Sequence, residues 1–266
     1  MNKTNFLTLA LIFPLFLYGQ LDSITIKKTL KEVNVNAIKA NKKTPIAFTN
    51  LQKKEIEKSN LGQDLPTLIS LTPSIVTTSD AGAGIGYSGF RIRGTDPSRI
   101  NVTINGIPLN DSESQGVWWV NMPDFTSSLE NIQIQRGVGT STNGAAAFGA
   151  SINLKTIGIN KLAYAKSNNT IGSFNTLKNN VELGTGIINN KFSFDTRISQ
   201  ITSDGYIDRA SSDLKSFYLQ GNYFDETSII KGIIFSGHER TYQAWNGVPL
   251  TFLDTNRTYN SYTYKN

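Results

Sequence analysis

The sequence predicts a mixed α+β domain followed by the start of an antiparallel transmembrane β-barrel, which is incomplete within these residues. Two observations support this fold class. Residues 44–157 combine short helical patterns with short strands that Gly, Pro, Asn and Asp clusters separate. Residues 158–266 hold long strands of alternating polar and apolar residues, joined by alternately short and long connections.

The composition excludes several kinds of chemistry. The 266 residues include no cysteine and a single histidine, His238. This excludes disulfide frameworks, thiol catalysis and multi-histidine metal centres. His238 lies near a predicted strand end and is interpreted as a rim residue, while Asp111 and Glu113 are interpreted as a solvated loop. We therefore predict that the chain is not an enzyme and carries no cofactor or metal.

The net charge of +6 has a local origin. The segment 27–58 holds nine lysines and three glutamates, so that it alone accounts for 9 − 3 = +6. A short basic segment of this kind is more often a solvated linker than a nucleic-acid site. We predict no nucleic-acid partner.

The N-terminus has the pattern of a secretory signal. Lys3 precedes an uncharged apolar run from Phe6 to Tyr18, and Gly19 offers a small residue for cleavage. The run is too short to span a bilayer as a helix, which needs about 20 residues. Residues 1–20 are thus predicted to be a signal peptide, and an exported chain of this kind can enter a membrane only as β-structure.

Residues 21–43 are rich in Lys and Asn and are predicted to be a linker. They contain one short alternating stretch, Val33 to Ala37. One interpretation is a disordered tail. The other is an extended peptide that adds to the edge of another protein's sheet.

Residues 44–157 are predicted to form the mixed domain. Thr49–Ser59 and Gly62–Leu71 have helical patterns. Short strands are predicted at Ser74–Thr78, Gly89–Arg93, Asn101–Ile104 and Asn131–Gln135, with a tight turn at Asn105-Gly106.

Residues 158–266 are predicted to cross a membrane as strands. The predicted strands are 170–186, 191–202, 213–224 and 228–240. Phe192, Phe194 and Ile198 alternate with Ser193, Asp195, Arg197 and Ser199. Strands of about 10 residues with short turns at one end and long loops at the other are typical of outer-membrane barrels. The alternative is a soluble antiparallel sheet.

Two local motifs need an interpretation. Gly84 to Gly89 matches the dinucleotide pattern G-x-G-x-x-G, but a strand rather than a helix is predicted to follow, so a nucleotide site is not expected. Arg93 and Arg136 each end a predicted strand just before a glycine. If a barrel encloses this domain, these arginines need carboxylate partners on its wall.

Four segments of residues 44–157 resemble, in the expected order, the plug domain of TonB-dependent outer-membrane receptors. The segments are TPIAFTNLQKKEIEKS (44–59), DLPTLISLTPSIV (64–76), FRIRGTDPSRINVTINGIPLND (90–111) and LENIQIQRGVGTSTNGAAAFGASINLKT (129–156). They are similar to the family's I-R-G motif, its V-x-V-D-G-V-P-L strand–turn–strand and its closing R-I-E-V-x-R-G-P segment. Gln133, Val138 and Asn105 depart from the usual Glu, Pro and Asp.

The resemblance implies domains, partners and a location in the Gram-negative outer membrane. The domains would be a signal peptide (1–20), a TonB-box linker (21–43), a plug (44–157) and the first barrel strands (158–266). The strand-adding peptide of residues 30–37 would be the TonB box. Its TonB contacts would be Glu32, Val33, Asn34, Val35, Asn36 and Ala37. The other partners would be outer-membrane lipid and a small-molecule nutrient or metal chelate.

The resemblance also implies site residues in the plug. Ligand-facing loops at 81–88 and 110–119 would present Gly84, Tyr87, Ser88, Asn110, Ser114, Gln115, Trp118 and Trp119. Trp118 and Trp119 would stack or gate there, or else pack against the barrel wall. Charge contacts between plug and barrel would involve Arg93, Arg136 and Glu130.

The function implied is ligand-gated, proton-motive import of a scarce nutrient of the ferric siderophore, haem or cobalamin type. The family's barrel has about 22 strands, so these residues are interpreted as an N-terminal fragment of a receptor. The main alternative is an exported, soluble β-rich binding or adhesion protein without transport activity. An exported hydrolase is a further alternative, which would have to use His238.

Overall fold

The computed structural model describes residues 39–139, 147–241 and 244–263. The predicted signal peptide and the predicted TonB contacts, Glu32 to Ala37, lie outside the described residues. In chain order the elements of the N-terminal part are β1 (Ala47–Gln52), α1 (Lys53–Ser59), α2 (Leu65–Leu68), β2 (Ile75–Ser79), β3 (Ser88–Ile92), β4 (Ile100–Ile104), β5 (Ile107–Pro108), β6 (Leu129–Arg136) and β7 (Ala150–Thr156). They are followed by β8 (Tyr164–Gly172), β9 (Thr176–Gly184), β10 (Phe192–Ser203), β11 (Ser212–Phe224) and β12 (Ile229–Thr241). No helix in these ranges is long and apolar enough to cross a membrane.

The first sheet is mixed and has the strand order β1-β6-β7-β4-β5. All of its pairs are antiparallel except β4 with β7. In β6, Ile132 and Ile134 belong to the apolar core, and the alternating Asn131, Gln133 and Gln135 are also buried. A strand buried on both faces has no solvated side, so its amides must find partners within the protein.

The helix predicted over Thr49–Ser59 is wrong for its first four residues. Ala47–Gln52 forms strand β1, and only Lys53–Ser59 is helical. Residues 47–52 pair antiparallel with residues 131–136 of β6. This partner lies far away in the chain, so local helical pattern could not reveal it. The helix itself begins with a capping box, in which the Glu55 carboxylate accepts from the backbone N–H of Gln52 at 2.7 Å.

The second predicted helix, Gly62–Leu71, is shorter than expected and covers only Leu65–Leu68. Asp64 is its N-cap and Pro66 stands in its first turn, where a missing N–H does no harm. The tight turn at Asn105-Gly106 is confirmed: it joins β4 to β5, and both residues have positive φ, at 51° and 88°.

The second sheet is an antiparallel meander in the order β12-β11-β10-β9-β8. Its two outer strands, β8 and β12, are not paired with each other, so the sheet is open. The strands predicted at 191–202, 213–224 and 228–240 correspond closely to β10, β11 and β12.

The single strand predicted at 170–186 is wrong, because a hairpin occupies this region. β8 ends at Gly172 and β9 begins at Thr176, with Phe174 and Asn175 at positive φ in the turn between them. Two consecutive residues at positive φ reverse the chain with the twist that a hairpin needs. Phe174 is an unusual residue for this conformation, which is why the turn is hard to see in the sequence.

The second sheet has its polar face covered and its apolar face exposed. On β9 the buried positions are Thr176, Lys178, Asn180 and Glu182, and the intervening Leu177, Val181 and Leu183 are more than two-fifths exposed. β10 and β11 repeat the pattern, with Ile198 67% and Phe217 44% exposed. A soluble sheet buries the opposite face. Polar-in and apolar-out alternation is typical of strands that face lipid.

Candidate functional site

A buried carboxylate joins the N-terminal domain to the second sheet. Asp124 lies after Pro123 in the left-handed conformation, with φ at 52°, just before the short 3-10 helix Phe125–Ser128. Its carboxylate contacts Lys178 Nζ of β9 at 2.7 Å and Arg197 Nη1 of β10 at 3.1 Å. All three side chains are at most 3% exposed.

Neutral groups complete the shell around Asp124. Asn180 of β9 donates to Oδ2 at 2.6 Å, and Ser127 donates to Oδ1 at 2.6 Å. Asn60, after α1, donates to Oδ1 at 3.3 Å and accepts from Lys178 at 3.0 Å. Arg197 also donates to the backbone carbonyl of Asp124. The network therefore ties two strands of the second sheet to two separate segments of the first domain.

The charges of this network depend on one another. Burial alone would raise the pKa of Asp124, but the Arg197 and Lys178 cations outweigh it and hold that pKa well below its usual range. Two buried cations thus share one buried anion. Removing one partner of such a group leaves an uncompensated buried charge, which is strongly destabilising.

Two of the three charged residues predicted to link plug and barrel, Glu130 and Arg136, have partners within the first domain. Glu130 pairs with Lys155 at 3.2 Å, between neighbouring strands β6 and β7. Arg136 donates to Thr49 of β1 at 2.7 Å. Arg93 is exposed and lies at positive φ before Gly94. These contacts lie within the first domain, and a role of the three residues towards a barrel stays a prediction.

Sequence reasoning missed Asp124, Lys178 and Arg197 as a site. Part of the signal is present in the strands of the second sheet, because a cation between outward apolar residues on a strand must face inward. On the plug side, the segment Met122-Pro123-Asp124 has no motif that marks its carboxylate. Only the fold brings the two sides together.

The linker is held to the first sheet by a side-chain amide. Gln133 Oε1 accepts from the backbone N–H of Ala40 at 2.8 Å, and Gln133 Nε2 donates to the Ala40 carbonyl at 2.9 Å. Nε2 also donates to Asn50 at 2.8 Å, and Gln135 donates to Gln133 Oε1 at 2.9 Å. A glutamate, which is usual in the family, could accept from Ala40 but could not donate to it.

The predicted ligand loop at 81–88 packs onto a buried carboxyl group. Ser88 donates to Asp64 at 2.9 Å, and the Asp64 N–H donates to the Gly84 carbonyl at 2.9 Å. Burial raises the pKa of Asp64 to about 7; the Ser88 hydroxyl and the Gly86 N–H oppose this rise, and the nearby Glu239 of β12 adds to it. Gly84 is buried, and Tyr87 and Ser88 are half-buried.

The second predicted ligand loop, 110–119, has an exposed tip and a buried end. Asn110 tethers it to β4, accepting from Val102 N–H at 2.8 Å and donating to the Ile100 carbonyl at 2.9 Å. Ser114 and Gln115 are exposed at the tip. Trp118 is 57% exposed, but Trp119 is only 5% exposed and packs on Phe90 with ring centroids 5.9 Å apart. Trp119 therefore has the surroundings of a core residue.

The two predicted loops meet on the second sheet. Ile85 of the first loop and Val120, which follows the second, pack together on Ile201 and Leu214 of the sheet. The Ala81 carbonyl accepts from the backbone N–H of Tyr206 at 2.7 Å, in the connection between β10 and β11. That end of the sheet therefore carries both loops.

The described ranges contain no group of three or more His, Cys, Asp or Glu side chains that could hold a metal ion. The strand that follows Gly84–Gly89 is β3, so the G-x-G-x-x-G match lacks the helix that a nucleotide site needs.

A mixed domain held on the polar face of an antiparallel sheet, with the apolar face outward, is the architecture of receptors whose outer-membrane barrel is closed by a plug. The family model described as TonB-dependent Receptor Plug Domain matches residues 40–151. Residues 40–151 thus match the plug domain of TonB-dependent receptors, and the fold of the chain is a plug domain followed by antiparallel barrel strands.

Relatives and solved structures agree with this assignment. The chain is 31% identical over 109 residues to the vitamin B12 transporter BtuB of Vibrio vulnificus, covering 41% of this chain and 17% of the relative. It is 28% identical over 217 residues to the hemoglobin and hemoglobin-haptoglobin-binding protein A of Haemophilus influenzae, covering 74% of this chain and 19% of the relative. The chain thus spans about a fifth of the length of these curated relatives.

The fold itself is similar to that of several solved receptors. The unliganded ferric citrate transporter FecA matches with a TM-score of 0.63 at 18% identity, over 81% of this chain and 34% of that one. The ferripyoverdine receptor of Pseudomonas aeruginosa matches with a TM-score of 0.61 at 12% identity, over 74% of this chain and 25% of the receptor chain.

Proposed function

We propose that the chain is part of an energy-coupled outer-membrane importer of a scarce nutrient. The observation that carries this proposal is the orientation of the second sheet, whose polar face holds the plug through Asp124 and whose apolar face is exposed. Such a sheet is stable where lipid covers the apolar face and a plug fills the interior.

The nutrient would bind where the two plug loops approach the sheet. Loop 81–88 contacts the β10–β11 connection, and its residues Tyr87 and Ser88 are half-buried. Asn110, Ser114, Gln115 and Trp118 would offer hydrogen bonds and an aromatic surface beside it. Trp119 would support the loop from the core, since it packs on Phe90.

Energy would enter through the linker. The segment Glu32–Ala37 would pair as a strand with TonB in the periplasm, and the proton gradient of the inner membrane would supply the pull. The pull would reach the plug first at Ala40, which Gln133 holds by two hydrogen bonds. Binding of the nutrient on the outer side would make the linker available to TonB.

The substrate would be a ferric siderophore, haem or cobalamin. The proteins named above are described as a vitamin B12 transporter, a hemoglobin-binding protein, a ferric citrate transporter and a ferripyoverdine receptor. Each of the four compounds in these names contains a chelated metal ion.

The remaining domain assignments belong to the same proposal. Residues 1–20 would be a cleaved signal peptide, residues 21–43 the TonB-box linker, residues 44–157 the plug and residues 158–266 the first barrel strands. Export through a signal peptide would bring the protein to the Gram-negative outer membrane.

The test is to replace one residue of the coupling segment by proline and to measure uptake, in the protein expressed from its full coding sequence. Val35→Pro removes a backbone donor that strand pairing needs, so we expect energy-dependent uptake to fall to the background of a deletion strain while surface binding is kept. The probes are radiolabelled cyanocobalamin, haemin and ferric citrate, each measured for binding and for uptake. The matched control is Thr29→Pro, outside the segment, which should transport normally.

Uptake that survives Val35→Pro at unchanged binding would contradict the proposed coupling segment. Uptake unaffected by collapse of the proton gradient would contradict energy coupling as a whole. The alternative of a soluble β-rich binding protein is not favoured, because it would leave Ile198, Phe217 and their neighbours exposed to water.

A further inference from the structure

A groove of about 670 Å³ lies on the outward face of the second sheet, away from the plug. Residues of β9, β10, β11 and β12 line it, and the small Ser236 is one of them. The lining includes the apolar Val181, Ile198 and Phe217 and the polar Gln200, Lys215 and His238.

The groove lies across a boundary between polar and apolar rows. Gln200, Lys215 and His238 are direct neighbours in one row across the three strands. The next row consists of Ile198, Phe217 and Ser236. Beyond it, towards the other end of the strands, the outward residues Leu219 and Ile234 continue the apolar surface, 41% and 61% exposed.

The polar row lies near the end of the sheet that carries the plug loops. Three residues separate Gln200 from the connection 204–211, which contacts the plug loop at Ala81. In a membrane-inserted wall, this is the height at which the apolar interior of one leaflet gives way to its headgroups.

The charge at this height is positive. Lys215 and the exposed Arg240 of the next row supply two cations, and Asp213 supplies one carboxylate. The contact between Lys215 and Asp213 is 3.7 Å long, and both side chains are largely exposed, so Lys215 stays available to an anion. His238 adds a ring N–H donor in the same row as Lys215.

We infer that this groove is a binding site for a phosphorylated lipid of the leaflet at the plug-loop end of the sheet. The phosphate would contact Lys215 and His238, with Arg240 close by, and an acyl chain would lie over Ser236 between Ile198 and Phe217. The occupant is a bilayer lipid and not a soluble phosphate, because the apolar half of the groove needs a chain to cover it. This inference rests on the proposed insertion of the sheet in a membrane.

The test is native mass spectrometry of the protein, expressed from its full coding sequence and purified in detergent. The probes are dipalmitoyl phosphatidic acid, dipalmitoyl phosphatidylcholine and inorganic phosphate. We expect phosphatidic acid to bind most tightly, and Lys215→Gln with His238→Gln to weaken it about tenfold, since the Lys215 charge near a lipid surface contributes about a factor of five and a hydrogen bond from His238 about a factor of two. The matched control, Lys191→Gln, removes an exposed lysine from the opposite end of β10 and should change nothing.

A second variant tests the apolar half of the groove. Ser236→Phe fills the groove, and we expect it to weaken binding of both lipids equally. Phosphatidic acid that binds the Lys215 and His238 variant as tightly as the wild type would overturn the inference. So would inorganic phosphate that displaces phosphatidic acid at millimolar concentration. Neither result would affect the uptake test with Val35→Pro, so the two proposals fail separately.

Discussion

The carboxylate of Asp124 in the plug faces two cations of the second sheet, Lys178 and Arg197. Because both cations are buried, this one side chain determines whether the plug can rest on this part of the sheet.

Asp124→Asn is expected to loosen the plug. The substitution leaves Lys178 and Arg197 buried with no anion, which destabilises by about 3 kcal/mol or more. We expect a lower thermal midpoint in detergent and faster proteolysis of the plug, both measured on the protein expressed from its full coding sequence. Adding Lys178→Met, which removes one of the stranded cations, should restore part of the loss.

The matched control is Glu57→Gln. Glu57 also pairs with a wall lysine, Lys166 of β8, at 2.7 Å, but both side chains are more than one-third exposed. An exposed pair contributes about 1 kcal/mol or less. If Asp124→Asn were no more destabilising than Glu57→Gln, Asp124 would not be the anchor described above.

At Gly237, strand β12 lies close to the plug segment Asn121–Pro123. A Cβ at this position would lie 2.6 Å from the carbonyl oxygen of Asn121 and 2.7 Å from Pro123 Cδ. Gly237→Ala is therefore expected to push the segment 119–123 away from β12 and destabilise by about 1–3 kcal/mol. Gly232→Ala, on the outward face of the same strand with no atom nearby, serves as the control. Equal thermal midpoints for the two variants would contradict this packing.

Helix α2 and loop 81–88 share the buried carboxyl group of Asp64, and this makes their stability depend on pH. The pKa of Asp64 is about 7 in the folded protein, above its unfolded value near 3.8. The folded state therefore binds the proton more tightly, and unfolding free energy falls as pH rises from about 4 to about 7. The repulsion from Glu239 of β12 acts in the same direction.

Asp64→Asn should remove this dependence, since the amide oxygen of asparagine can still accept from Ser88 and the side chain cannot ionise. We expect the wild-type thermal midpoint to fall between about pH 4 and about pH 7 and the variant's to fall less. Asp111→Asn is the control: the N–H groups of Ser114 and Glu113 lower the pKa of this exposed carboxyl, so it titrates below the range. If the thermal midpoint of Asp64→Asn fell by as much as that of the wild type, the pH dependence of stability would arise from another group.

Many of the strands can be predicted from the sequence, and the predictions that are wrong have physical reasons. β10, β11 and β12 are predicted well because period-2 alternation is a local signal. β1 is missed because its partner, β6, lies about 80 residues away in the chain. The β8–β9 hairpin is missed because Phe174 occupies a positive-φ position that usually takes Gly or Asn.

For the molecule as a whole, the fold class is predictable and the contacts between its parts are not. The plug motifs and the alternating strands indicate both parts separately. The pairing of Asp124 with Lys178 and Arg197, and of Gln133 with Ala40, depends on the tertiary arrangement. No spacing in the chain encodes these distances.

The central claim for the whole molecule is that the apolar face of the second sheet meets lipid while its polar face holds the plug. Because the chain has no cysteine, single nitroxide labels can be attached at chosen positions. Ile198→Cys and Phe217→Cys place a label on the apolar face, and Glu226→Cys places one in the exposed β11–β12 turn.

The most direct measurement is the collision rate of these labels with molecular oxygen, which concentrates in lipid, and with a water-soluble nickel chelate, in outer-membrane preparations. The account predicts that labels at positions 198 and 217 collide mainly with oxygen, and that the label at 226 collides mainly with the nickel chelate. Labels at 198 and 217 that collide mainly with the nickel chelate would contradict it, since the apolar face would then lie in water.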